Sequence, residues 1–367
     1  MKRKIKINKN ILNLVLIVSM FIALFSYMVI VDGWANIVII VKQIEPIWFV
    51  AAGLLLVTYW ILEAVVLHIV TKKVCKKERF RNSLRVSMIG QLFRNITPFS
   101  SGGQPMQAIA MVKSGVSVTS SATILLVKFI IYQTVLVLYT TVIIIFKYEY
   151  FKELVSSFIT LSIIGFAMNL AVIISLIMVG VNKDFVYGIL KTIYKYLDKI
   201  GFMKNVDKKL ESLKENIDIF HEEFKIIRKE KMMILRAAIL TMVQLTAEST
   251  ITYAVYRAFG ENTYSLIDVV SAQTFLFMIM AFIPTPGAGG AAEGGFYVIF
   301  KTFFAQNEIK MAILFWRIYT FYLPILVGAI FLLLKPKNKV EVIEVLKEQA
   351  KEIIETQKDG SNIECTE

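Results

Sequence analysis

Six runs of apolar residues, each long enough to cross a bilayer, constrain this chain more than anything else in it. They cover residues 11–31, 46–70, 117–146, 157–181, 233–259 and 310–334. Runs of about 18 or more residues with little charge read as membrane helices. Composition agrees: 56% of the 367 residues are hydrophobic and the mean hydropathy is +0.64, whereas soluble domains rarely exceed about half apolar residues. The first run follows "MKRKIKINKN". It is too long for a signal-peptide core and no small-residue cleavage site follows it, so it reads as a retained helix.

Lysine and arginine mark the cytoplasmic side. They cluster before the first run, in "KKVCKKERFR" after the second, through loop 182–232, and at Lys335, Lys337 and Lys339 after the sixth. The alternate loops, 32–45, 147–156 and 260–265, carry few. Both termini are therefore expected in the cytoplasm. The net charge of +13 falls mainly on these flanks, where anionic headgroups attract it, so no nucleic-acid partner is implied.

Two further apolar segments, 84–111 and 266–304, are interrupted by "NITPFSSGGQP" and "FIPTPGAGGAAEGG". Proline ends a helix and glycine admits positive φ. Irregular backbone survives at membrane depth only inside protein or beside a wet cavity. The charge count requires each segment to enter and leave on one side: the first is expected re-entrant from the cytoplasm, the second from outside. Glu63 precedes Pro98 by 35 residues and Glu248 precedes Pro286 by 38; Lys128 follows Pro98 by 30 and Arg317 follows Pro286 by 31. Each half thus reads helix, helix with Glu, broken hairpin, helix with a cation. The expected fold is all-α integral membrane: an inverted-topology repeat of three spanning helices and one re-entrant broken hairpin per half, with a site near the midplane. The membrane domain is placed at 9–337, with halves 11–146 and 157–334, an amphipathic cytoplasmic loop 182–232 and a charged tail 338–367.

The half-helix after Thr285-Pro286-Gly287 is expected to start near Gly289 and to offer free N–H groups that suit an anion such as phosphate. The bland alternative is a packing hinge. Buried Glu63, Lys128, Glu248 and Arg317 each cost about 2.5–3.5 kcal/mol on insertion scales and are functional by default. The alternative is a pair of structural ion pairs, Glu63 with Lys128 and Glu248 with Arg317. Gln133, Asn169 and Gln244 read as amides bonding neighbouring helices. His68 reads as interfacial and His221 as a surface residue. "HEEF" lacks the second histidine of a zinc motif, and "GAGGAA" follows no strand, so neither a metal nor a dinucleotide is expected. Cys75 and Cys365, both placed in the cytoplasm, imply no disulfide. In the loop, Leu210, Leu213, Ile217, Phe220, Phe224 and Ile227 recur by three and four, as in a helix lying on the membrane or on its partner helices.

The two interrupted stretches resemble the signature regions of the flippase-like membrane domain family. That domain forms the N-terminal part of bacterial lysylphosphatidylglycerol synthases and also occurs alone. Asn95, Pro98, Gly102 and Gly103 match the first signature; Pro284, Pro286, Gly287, Gly290 and Glu293 match the second. Gln104 and Gln107 stand where the family often carries an acid and then an arginine. The resemblance implies a lipid translocase in the bacterial plasma membrane, moving a phosphate-bearing lipid such as lysyl-phosphatidylglycerol and giving resistance to cationic peptides. The expected site comprises those residues with Glu63, Arg94, Lys128, Glu248 and Arg317, without cofactor or metal. A transferase domain needs roughly 100 or more residues, so lysyl transfer is not expected of residues 338–367. With no ATP motif, movement would be passive or ion-coupled. The other readings are a headgroup-modifying membrane enzyme, with Glu293 and Arg94 as candidates, and a partner of a separate synthase docking through 207–231. A homo-oligomer is also compatible.

Overall fold

A computed structural model describes residues 44–334 except 77, 150, 151, 153–157, 200–205 and 281–282, together with residues 38 and 42. The expected first helix, the charged tail and Cys365 lie outside the described residues.

The described residues are mostly helical and form no strand. The helices are α1 (Pro46–Val74), α2 (Phe80–Ile96), α3 (Gly103–Val112), α4 (Val118–Phe146), α5 (Phe158–Val181), α6 (Lys183–Lys199), α7 (Val206–Lys229), α8 (Lys231–Ala258), α9 (Leu266–Met280), α10 (Ala291–Phe300), α11 (Ile309–Arg317) and α12 (Leu323–Leu333). By length and hydropathy, five are candidate membrane spans: α1, α4, α5 over Ile164–Val181, α8, and Ile309–Leu333. Local chemistry sets their ends. Pro46 opens α1, where its missing N–H costs nothing. Ser117 caps α4 by accepting the Ser120 N–H at 2.9 Å.

The last span is continuous but not uniform. A π-helical turn, Ile318–Tyr322, joins α11 to α12, with Pro324 just after it. Proline cannot complete the normal ladder, and a wide turn accommodates the freed groups. Beyond it, Gly328 packs against α2. A Cβ there would meet the Met88 carbonyl oxygen at 2.7 Å and Leu92 Cβ at 2.8 Å, so only glycine permits this approach.

α1 and α8 pack along one another at the centre. Among the described residues three apolar clusters are buried, the smallest of them Leu92, Ile96, Phe321 and Ile325; the two larger ones lie around these helices. One joins Val66, Leu67, Ile89, Ile124 and Ile131 to Phe224 and Ile227 of α7. The other joins Tyr59, Phe275, Phe296, Phe300 and Trp316. Leu54, Val57, Ile239, Met242, Leu326 and Ile330 point outward, which is the surface a lipid-facing protein presents. α7 lays its apolar face on the end of α4, burying Ile217, Phe224 and Ile227. That face also takes in His221, which is 5% exposed and bonded through Nδ1 to the Ile217 carbonyl at 2.8 Å. The expectation of a surface histidine is therefore corrected: the ring lies on the packed side of the helix. Cys75, at the end of α1, is a free thiol.

Both interrupted segments fold as helix, tight turn, helix. The turns are Pro98–Ser100 and Pro286–Ala288. Their backbones coincide closely. Thr97 and Thr285 are extended at φ −117 and −109, Phe99 and Gly287 take φ 54 and 57, and Ser100 and Ala288 take φ 55 and 54. The two turns pack against each other. α2 of the first segment packs on α12, and α9 of the second packs on α4.

Candidate functional site

A cavity of about 540 Å³ lies where the two turns approach α1, α4, α8 and the last span. Of the residues singled out from sequence, Glu63, Arg94, Asn95, Gly103, Lys128, Glu248, Gly287 and Arg317 line it. Gln104, Gln107, Gln133, Asn169 and Gln244 line it too. Pro98, Gly102, Pro284, Pro286, Gly290 and Glu293, expected in the site, are not among its lining residues.

Spacing explains the first group. Tyr59 and Glu63, four apart on α1, share one face, and Gln91 and Arg94, three apart on α2, share another. Where the faces meet, Lys128 Nζ lies 2.9 Å from Glu63 Oε1. Gln91 Nε2 donates to Glu63 Oε2 and, at 3.0 Å, to the Tyr59 hydroxyl. Gln91 Oε1 accepts from Arg94 Nη2 at 2.6 Å, and that nitrogen also donates to the Tyr59 hydroxyl. Glu63 is 7% exposed, and a cation and an amide engage its two oxygens, as a buried carboxylate requires. Tyr59 and Gln91 are the functional neighbours that sequence reading missed: a tyrosine in an apolar run looks like core. The available signal was their helical spacing to Glu63 and Arg94.

The second group is built differently from expectation. Arg317 does not pair with Glu248. Its Nε lies 2.7 Å from Glu293 Oε1 and its Nη1 donates to the Gly287 carbonyl at 3.0 Å. The guanidinium carbon sits 5.0 Å from the Trp316 ring centre and 5.1 Å from that of Phe321, within cation–π range. Glu293 serves both ends of this arrangement, because Oε2 also accepts the Gly290 N–H at 2.7 Å. α10 begins at Ala291 with Gly290 as N-cap and Glu293 as its third residue, a capping-box position. The half-helix therefore starts two residues later than expected. The Glu293 carboxylate already occupies the N-terminal position that was assigned to a phosphate.

Glu248 lines the cavity from α8 and has no hydrogen bond or ion pair among the described residues. Gln133 Nε2 donates to Asn169 Oδ1, tying α4 to α5. No group of three or more metal-ligating side chains occurs among the described residues.

The arrangement combines fixed cations, a carboxylate without a partner among the described residues and several amides in a cavity inside an apolar helical body. It can bind a polar, charged group away from bulk water and hold it between two backbone turns. Residues 10–328 match the family model described as lysylphosphatidylglycerol synthase TM region. The chain is also similar to a UPF0104 membrane protein of Archaeoglobus fulgidus, 24% identical over 298 residues that cover 79% of this chain and 87% of the relative.

Proposed function

Because the chain belongs to the lysylphosphatidylglycerol synthase transmembrane-region family, we propose that it is a lipid translocase, moving the phosphate-bearing headgroup of a membrane lipid between leaflets of a bacterial plasma membrane. The observation that carries this reading is the charged cavity beside two abutting turns of matching conformation. A headgroup needs a polar route through hydrocarbon, and broken hairpins beside a wet cavity supply one.

The same matching turns support an inverted repeat, with hairpins entering from opposite sides. So do the reciprocal contacts: each half's hairpin leans its leading helix on the last span of the other half. In this reading Arg94, Lys128 and Arg317 attract the phosphate, Asn95 and Gly103 contribute polar wall, and Glu63, Glu248 and Glu293 balance the charge. Gly287 and its neighbours Pro284, Pro286 and Gly290 set the second turn; Pro98 and Gly102 set the first.

The test is leaflet exchange of tail-labelled phospholipids in proteoliposomes. Wild-type protein is expected to accelerate exchange well above protein-free vesicles, and Arg94→Gln to remove most of that gain. Exchange no faster than in empty vesicles for every phosphate-bearing lipid would overturn the reading. An altered headgroup composition in cells lacking the protein, without a change of leaflet distribution, would favour the enzyme instead.

A further inference from the structure

Five acidic or basic side chains line the cavity: Glu63, Arg94, Lys128, Glu248 and Arg317. Their partners divide them. Lys128 is matched by Glu63 at 2.9 Å, and Arg317 by Glu293 at 2.7 Å. Among the described residues the hydrogen bonds of Arg94 go to neutral groups, the Tyr59 hydroxyl and the Gln91 side-chain oxygen, while the Glu63 carboxylate acts on it across space. Glu248 is held by none among the described residues. Arg94 and Glu248 are thus the two without an ion pair among the described residues, in one cavity.

These two are electrostatic neighbours, yet they make no ion pair with each other. A guanidinium and a carboxylate free to meet in a low-dielectric site would form a bidentate pair. Arg94 is instead tethered to α1 and to its own helix by Tyr59 and Gln91, while Glu248 stands on α8. Both line the same cavity of about 540 Å³, which has room for a group bearing both charges.

The geometry points to a zwitterionic phospholipid headgroup, one phosphate and one ammonium, as the ligand: the phosphate on Arg94 and the ammonium on Glu248. This rests on the translocase reading above. The walls fit both ends. Asn95 and Gln104 stand beside Arg94 as donors to phosphate oxygens, and Phe129 and Tyr132 present aromatic surface on α4 for the ammonium. Tyr132 lies within the electrostatic reach of Glu248. Charge counting excludes the neighbouring classes. A headgroup with phosphate alone brings no cation to Glu248. A headgroup with one phosphate and two ammonium groups brings a cation with no acid left to meet it.

The experiment compares exchange of tail-labelled phosphatidylethanolamine, phosphatidylglycerol and lysyl-phosphatidylglycerol in proteoliposomes. Wild-type protein is expected to move the ethanolamine lipid at least about tenfold faster than the other two. Glu248→Gln should abolish that preference, and Glu248→Asp, which keeps the charge, should retain it. Equal wild-type rates for all three lipids, or a preference unaltered in Glu248→Gln, overturn the inference while leaving translocation intact. A binding arm separates the two claims. Soluble glycerophosphoethanolamine should raise the melting temperature of the detergent-solubilised wild-type protein more than glycerophosphoglycerol does, and this difference should vanish in Glu248→Gln. Such binding without any lipid exchange would sink translocation and uphold the ligand class. Stabilisation by glycerophosphoglycerol equal to that by glycerophosphoethanolamine would sink the ligand class. The melting temperature of each variant without ligand controls for folding.

Discussion

Arg317 and Glu293 bind each other across the second hairpin, Nε to Oε1 at 2.7 Å, with the arginine 2% exposed. The same guanidinium holds the Gly287 carbonyl, and the same carboxylate caps α10. One ion pair therefore fixes both sides of the turn.

Removing the cation leaves Glu293 partly buried with a single backbone donor. Arg317→Gln is expected to destabilise the protein by about 3–5 kcal/mol, the usual cost of breaking a buried pair from one side. Glu293→Gln should cost less than Arg317→Gln, because an amide oxygen still accepts the Gly290 N–H. Arg317→Lys should not restore stability fully, since an ammonium cannot reproduce the fork that spans Glu293 and Gly287. Denaturation midpoints in detergent check the order; a lysine variant as stable as wild type would contradict it.

Gly287 meets two obstacles to any side chain. Its φ is 57, and a Cβ would lie 2.0 Å from Phe321 Cε2. Gly290 has φ 84 but open space around its Cβ position. Gly287→Val should cost about 1–3 kcal/mol for the backbone and about 1–3 kcal/mol more for overpacking. Gly290→Val should incur mainly the first. Pairing Gly287→Val with Phe321→Ala should recover part of the loss and no more. Leaflet exchange should fall in the same order. Ala288, at φ 54 without being glycine, should gain a few tenths of a kcal/mol or more on Ala288→Gly, a sign opposite to that at an ordinary helical alanine.

Glu223, on α7, lies outside the spans and accepts from the Ser120 hydroxyl at 2.5 Å. Burial raises its carboxyl above the usual range, against the opposing bonds from Ser120 and Thr123. Glu78 is raised for the same reason. The packed state thus favours the protonated forms. Their contribution to docking of α7 is fully present below an unfolded value of about 4.3 and is lost as pH rises through the raised folded values. Amide exchange in α7, corrected for intrinsic rates, should slow as pH falls from 8 toward about 5. Glu223→Gln with Glu78→Gln should flatten the dependence; an unchanged slope in that double variant would remove these groups as its cause.

Burial, with Glu78 and Glu223 nearby, pushes the Cys75 thiol up to about 11. The thiolate is the nucleophile, so alkylation of Cys75 at pH 8 should run at least tenfold slower than that of an unperturbed peptide thiol. Mass spectrometry of iodoacetamide adducts on a Cys365→Ser background measures it. Unfolding in detergent should bring the rate up to the peptide value.

The sequence already showed where the chain breaks and which charges sit in apolar surroundings. Thr-Pro followed by glycines permits few backbones, and Glu63, Lys128 and Arg317 stand out in apolar runs. It did not show who pairs with whom. Glu248 and Arg317 matched by position in the second half, just as Glu63 and Lys128 did in the first, yet only the first pair forms. The reason is that α10 folds back beside α11 and brings Glu293 to Arg317, a contact set by the hairpin and not by order along the chain. Tyr59 and Gln91 were illegible for a related reason: their value comes from two helices meeting, and each alone is an ordinary residue. His221 failed because an amphipathic period shows that a face exists, while which side of the boundary it covers depends on the packing of α4.

The wide turn at Ile318–Tyr322 has a bearing on how relatives are compared with this chain. Each residue in an α-helix advances the face by about 100°, and a π turn absorbs a surplus residue without turning the remainder of the helix. A relative whose last span is α-helical throughout would therefore carry one residue fewer between the positions of Arg317 and Gly328. An ungapped alignment across that stretch would then match either the arginine or the glycine, never both. Placing a single-residue gap inside 318–322 keeps both in register, and the position of that gap distinguishes homologues that share this joint from those that have lost it.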